Sequence, residues 1–142
     1  MKTGWLAAAC AVAALGITSA ASPPAIAATS EDDFSLKTTR NLVNLCGAES
    51  GDPNQEEAKE LCLGYIAGAA SMHRLLVAEK KLTGGPVACP TQQVSREDFA
   101  AYFVSWANDH NQYMGDPAVE TMVRAAVDKY PCATAGSSQH SW

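Results

Sequence analysis

Cysteine and histidine are the residues of this chain best able to do chemistry, and their spacing limits what that chemistry is. The cysteines are Cys10, Cys46, Cys62, Cys89 and Cys132, and the histidines are His73, His110 and His140. Zinc sites are built from close pairs such as C-x-x-C, whereas 15, 26 and 42 residues intervene between the last four cysteines, and the histidine nearest to any of them is His140. No metal site is predicted. Nor is a catalytic one: Asp109 and His110 are chain neighbours that point apart, and Ser71 beside His73 reads as a helix-surface pair with no third group to orient it. A cysteine nucleophile needs a free thiolate, so the remaining question is whether these thiols are oxidised.

The N-terminus answers it. Lys2 precedes an apolar run from Trp5 to Ile17, followed by the small, turn-prone "TSAASPPAIAA", the pattern of a secretory leader. Cleavage after Ala27 is predicted, which removes Cys10. No membrane span is expected, because the run falls short of the roughly 20 apolar residues a span needs. The remaining four cysteines, an even count in an exported chain, predict two disulfides. The organisation read from the sequence is therefore a leader over 1–27, one domain over 28–132 and a flexible Gly/Ser/Gln tail over 133–142. The whole chain carries 10 Lys and Arg against 15 Asp and Glu, a net of −5; losing Lys2 makes it −6. That sign argues against nucleic acid as a partner and is ordinary for an exported protein.

Periodicity predicts an all-α fold, a small disulfide-stapled bundle of four main helices. The first spans "DDFSLKTTRNLVNLCGA", with Phe34, Leu42, Leu45 and Cys46 at helical spacing. The second runs from about Pro53, with Asp52 as N-cap, to about Lys81. "LTGGPVACPTQQV" then breaks the chain. Ser95 caps the third helix, which turns Phe99, Tyr102, Phe103 and Trp106 inward. Asp116 and Pro117 open the fourth, with an apolar stripe of Val119, Met122, Val123, Ala126, Val127 and Tyr130.

Two features demand tertiary explanations. Gly64 and Gly68 lie one turn apart in the second helix, beside Tyr65, and each costs about 1 kcal/mol relative to alanine. The offset expected is a close helix crossing over a strip without bulk. Of the three disulfide pairings, Cys46–Cys62 and Cys89–Cys132 are predicted: an antiparallel hairpin of the first two helices brings one pair together, and the other two cysteines sit in proline-bearing breaks after helices.

Four stretches, "LVNLC", "LCLGYIAGAASM", "ACPTQQVSREDF" and "AVETMVRAAVDKYPC", together resemble the Rap/Tai family of periplasmic immunity proteins. The matching residues are Cys46; Cys62 with Gly64, Tyr65, Ile66 and Gly68; Cys89 with Pro90; and Tyr130, Pro131 and Cys132. The chain departs from the family's pattern where Cys89 adjoins Pro90 directly and where Ser71 follows the glycine helix. The resemblance implies a periplasmic protein that binds a peptidoglycan amidase effector of type VI secretion, blocks its cysteine-histidine cleft, needs no cofactor and often forms a homodimer. The alternatives are a periplasmic acid-stress chaperone, suggested by the acid clusters "SEDD", "NQEEAKE" and "SRED", and a helical binding protein without a toxin partner.

An inhibitor of a cleft needs a protruding, rigid, polar segment with an aromatic anchor. "WANDHNQYMGDP" offers one between the third and fourth helices, and Asp109, His110, Asn111, Gln112 and Tyr113 are the expected contacts, with Gly115 permitting the turn into Asp116.

Overall fold

A computed structural model describes residues 28–133. The leader expected over 1–27 and tail residues 134–142 lie outside these. Among the described residues there are four α-helices, α1 (Thr39–Cys46), α2 (Gln55–Ala78), α3 (Arg96–Asp109) and α4 (Ala118–Lys129), and two 3-10 turns, Glu31–Ser35 and Asn111–Tyr113. They contain no strand, only an isolated antiparallel bridge between Thr38 and Pro117. The all-α bundle of four helices is as the periodicity predicts.

The first predicted helix is in fact two elements. Leu36 takes a left-handed conformation (φ 53°) and ends the 3-10 turn. Thr38 then restarts the chain as the N-cap of α1, its side chain accepting from the Asn41 amide while the Asn41 Oδ1 accepts from the Thr38 amide at 3.0 Å. Short polar side chains here give the backbone partners that compete with a continuous helix. Asp33 completes the arrangement from a buried position, 4% exposed. It accepts from the Ser30 amide and hydroxyl, both at 2.8 Å, and from the amides of Asn44 (2.9 Å) and Asn41 (3.2 Å).

Asp52 also differs from expectation. The N-cap of α2 is Asn54, and the Asp52 carboxylate instead accepts from the amides of Thr29 (2.7 Å) and Asn54 (2.8 Å), fastening the start of the domain to the α1–α2 link. Ser95 caps α3 as predicted, accepting from the Asp98 amide at 3.0 Å.

The core gathers Leu42 and Leu45 of α1, Ala58, Cys62 and Ile66 of α2, Phe99, Phe103 and Trp106 of α3, and Ala118, Met122 and Ala125 of α4. The face of α4 thus differs from the predicted stripe: Val119, Val123 and Val127 are exposed, and the small residues Ala118, Thr121 and Ala125 face inward with Met122. Small side chains let α4 approach α1 and α3 closely, and a valine series one turn apart is left on the outside. The OH of Tyr102 (3.1 Å) and Nε1 of Trp106 (3.0 Å) donate to Asp128, tying α3 to α4. Burial, and then this carboxylate, push the Tyr102 phenol up to about 12.

Both disulfides pair as predicted. Cys46–Cys62 joins α1 to α2 with a Cα–Cα distance of 5.2 Å, and Cys89–Cys132 joins the break before α3 to the residues after α4 at 4.8 Å. With sequence separations of 16 and 43, the loops they close remove about 3 and about 4 kcal/mol of entropy from the unfolded chain in the chain-entropy model.

The close crossing expected at the glycines is not present. Gly64 and Gly68 are exposed, and a methyl group at either would meet nothing within 4 Å. Tyr65 between them is half-buried and packs on the core. The core takes the Ala58, Cys62 and Ile66 face of α2, and the glycines lie on the far side with exposed Met72 and Leu75.

Asp33 gives this fold a measurable acid dependence. Burial opposes its ionisation, but the hydrogen bonds from Ser30, Asn44 and Asn41 together outweigh it and hold the carboxyl below 3.8. Its contribution is therefore complete above the unfolded value and is lost as pH falls through the lower folded value. Asp33→Asn should cost about 1.5 to 3 kcal/mol at pH 7. In urea unfolding the gap to the parent should narrow below about pH 3.8; a gap that persists unchanged there would show that ionisation of Asp33 is not what stabilises the turn.

Candidate partner-binding site

The corner between α3 and α4 is built from the end of α3 outward. His110 follows the last helical residue, and its Nδ1 lies 2.7 Å from the Trp106 carbonyl oxygen. That contact places a proton on Nδ1, since a carbonyl only accepts. The imidazole thereby lies flat on the Trp106 indole, with centroids 4.0 Å apart and planes 14° apart. Tyr113, one 3-10 turn later, continues the stack at 6.0 Å from Trp106 and 6.2 Å from His110. Arg124 of α4 covers the Tyr113 ring, its Cζ 4.9 Å from the centroid, and is itself paired with Glu120.

The backbone of the corner is equally constrained. The Tyr113 amide donates to His110, the Met114 amide to Asn111 and the Asp116 amide to Tyr113 at 3.0 to 3.2 Å. Met114 is buried, 5% exposed, and anchors the turn. The carbonyls of Met114 and Asp116 accept from the amides of Arg40 (3.1 Å) and Thr39 (2.8 Å), the free donors of the first turn of α1.

Of the five residues expected to meet a partner, Asp109, Asn111 and Gln112 are exposed, while His110 and Tyr113 are half-buried in the stack and present only part of their rings. The structure gathers all five on one rigid corner. Gly115 is exposed, and its φ lies outside the left-handed region, so the turn into Asp116 is made by hydrogen bonds and does not require a glycine. The stack itself is not readable from sequence, although Trp106, His110 and Tyr113 at spacings of four and three hint at one face.

A second feature escaped the sequence entirely. An open groove of about 740 Å³ runs between the second half of α2, the segment 86–96 and α4. Its floor is Ile66, Phe99 and Met122, and its walls include Ala70, Val77, Val87, Val123 and Tyr130. The 86–96 segment is fastened to α2 by the Val87 amide donating to Nε2 of His73 at 3.2 Å, and to the end of α4 by the Cys89–Cys132 disulfide and the Cys89 amide donating to the Tyr130 carbonyl at 2.8 Å. The available signal was an excess of apolar residues on α2 and α4 over what one core face can bury.

Among the described residues, no three His, Cys, Asp or Glu side chains gather as a metal site. His73 and His110 each serve a structural hydrogen bond, far from each other in the chain. The features that stand out are a rigid corner and an apolar groove on a stapled helical frame, the construction of a small binding domain. The sequence model of the Rap1a immunity proteins matches residues 38–132, from the N-cap of α1 to the last disulfide cysteine, and the chain belongs to that family. No curated protein and no solved structure matches it. Membership implies an immunity function against type VI effectors, exercised by binding a partner effector.

The stack yields a direct test. Tyr113→Leu keeps apolar bulk while removing the ring, and should cost about 0.5 to 1.5 kcal/mol in urea unfolding and diminish the near-ultraviolet circular dichroism of the tryptophans. An unaltered near-ultraviolet spectrum would mean that Trp106, His110 and Tyr113 are not stacked in solution.

Proposed function

We propose that the protein acts in the periplasm as the immunity partner of a type VI peptidoglycan amidase, occupying the enzyme's cysteine-histidine cleft with the corner at 109–113. The observation that carries this reading is how that corner is held: its rings are stacked between α3 and α4, and the carbonyls of Met114 and Asp116 just after it accept from the first turn of α1. A segment already held in one conformation loses little entropy when it enters a cleft. Asp109, Asn111 and Gln112 supply exposed acceptors and donors, and the exposed part of Tyr113 supplies apolar area. Two disulfides suit the oxidising compartment in which such an amidase works.

The experiment is inhibition of peptidoglycan hydrolysis by a type VI amidase of the same genome, using the chain from Ala28. The parent should inhibit at near-equal concentrations. An Asn111→Ala, Gln112→Ala, Tyr113→Ala triple variant of normal helix content should inhibit roughly thirtyfold less well or worse, as loss of a hot spot of 2 kcal/mol requires. Full inhibition by the variant would exclude the corner as the main contact.

We further propose that two copies associate through the open face of α2. Gly64, Gly68 and Leu75 follow at helical spacings with Met72 beside them, all exposed, so the space that no part of the chain itself fills is available to a second backbone. Gly68→Leu should leave the stability of the monomer at or slightly above that of the parent, because nothing lies within 4 Å to clash, while light scattering should register loss of the dimer. A dimer that tolerates leucine at 68 would place the contact elsewhere.

A further inference from the structure

The groove beside α2 shares no lining residue with the corner at 109–113, and its chemistry is different. The geometry points to a docking site for an amphipathic helix of a partner protein, about three turns long, with carboxylates flanking its apolar stripe. Charge carries the first part of the argument. The chain is acidic, with 15 Asp and Glu against 10 Lys and Arg. Yet no lining residue of the groove is an acid, and its charged rim consists of Arg74 and Arg96. Both are exposed, and neither forms an ion pair among the described residues; Arg74 has only the Ser71 hydroxyl at 3.0 Å. Asp98, near enough to contribute to raising the Tyr130 phenol after burial has done so, stands outside the lining.

Hydrogen bonding selects a helix over an extended segment. A strand laid in the groove would bring unpaired amides and carbonyls that need partners. Of the polar side chains that line it, Ser71, His73 and Ser95 already have partners, and Gln92 and Gln93, both on the 86–96 segment, are too few to pair a whole extended backbone. A helix satisfies its own backbone and asks of the groove only apolar contact, which Ile66, Ala70, Phe99 and Met122 provide. The length follows from α2: Ile66 to Val77 is 12 residues, whose ends lie about 17 Å apart at the helical rise.

Two other occupants lack the matching charge. Residues 134–142 contain an aromatic, Trp142, but no acid. A second copy brings one acid, Glu79, beside the exposed apolar end of its α2, where Lys80 and Lys81 follow it, and the acids beside the exposed valines of its α4 are already engaged, Glu120 by Arg124 and Asp128 by Tyr102 and Trp106.

The test uses the chain from Ala28 and three labelled 15-residue probes read by fluorescence anisotropy: a peptide with leucines at helical spacing flanked by glutamates, the same peptide flanked by lysines, and the glutamate peptide interrupted by a central proline. The glutamate peptide should bind and the other two should bind at least about tenfold more weakly. Arg74→Glu with Arg96→Glu should invert the preference between glutamate and lysine, and Ala70→Trp, which fills the groove from an exposed position, should abolish binding without altering amidase inhibition or melting. Equal binding of the lysine or the proline peptide would overturn the proposal, as would binding that survives Ala70→Trp. It would equally fail if ending the chain at Ala133 raised affinity severalfold, which would assign the groove to the chain's own tail, or if Ala70→Trp converted a dimer to monomers, which would assign it to a second copy.

Discussion

A helix of eight residues does not persist by itself in water, and the fold depends on the means by which α1 is made to persist. Leu42, Leu45 and Thr39 have no exposed surface at all, and α2, α3, α4 and the first 3-10 turn each pack against this one short element. Its ends are satisfied from outside. Thr38 and the carbonyls of Met114 and Asp116 receive the donors of its first turn, while Cys46 bonds its last turn to α2. Remove any of these and the centre of the bundle loses an axis to pack on.

The same arrangement links folding to the proposed binding corner. The groups that cap α1 belong to the loop that follows the aromatic stack, so the corner cannot move without exposing buried amides at the start of α1. A domain whose core is small gains a firmly held corner in this way without a longer chain. The stack then sets what that corner shows: imidazole and phenol rings partly covered by Trp106 and Arg124, and exposed carboxylate and amide side chains at 109, 111 and 112, of which Asn111 also donates through Nδ2 to the Asn108 carbonyl.

α2 plays two roles along its length. Its first half is in the core through Ala58, Cys62 and Ile66; its second half extends past the core with Met72, Leu75 and Val77 exposed. By length and composition alone this helix would pass for a membrane span. The disulfide to α1 and the burial of Ala58, Cys62 and Ile66 instead fasten it by one end as an arm of the bundle. An arm so apolar has two open faces, the glycine strip and the groove, and each is a surface on which burial by another chain is favourable.

What the sequence determined by itself is what local chemistry and counting control. Ser95 and its spacing to Asp98 mark the start of α3, the Gly/Pro break ends α2, and the short hairpin link between Cys46 and Cys62 favours, among three possible pairings, the one the structure shows. The ordered cysteine, glycine and proline positions were enough to place the chain among the Rap1a immunity proteins. Only the tertiary structure decided which apolar face of each helix is inside. Periodicity shows that α4 has valines at 119, 123 and 127, but the inward face went to Ala118, Thr121 and Ala125 because close approach to α1 favours small side chains. It likewise left Gly64 and Gly68 outside, broke the first helix at Leu36 and drew Trp106, His110, Tyr113 and Arg124 into one stack. Each of these depends on partners from distant parts of the chain, and no local pattern encodes a partner that arrives only when the bundle closes.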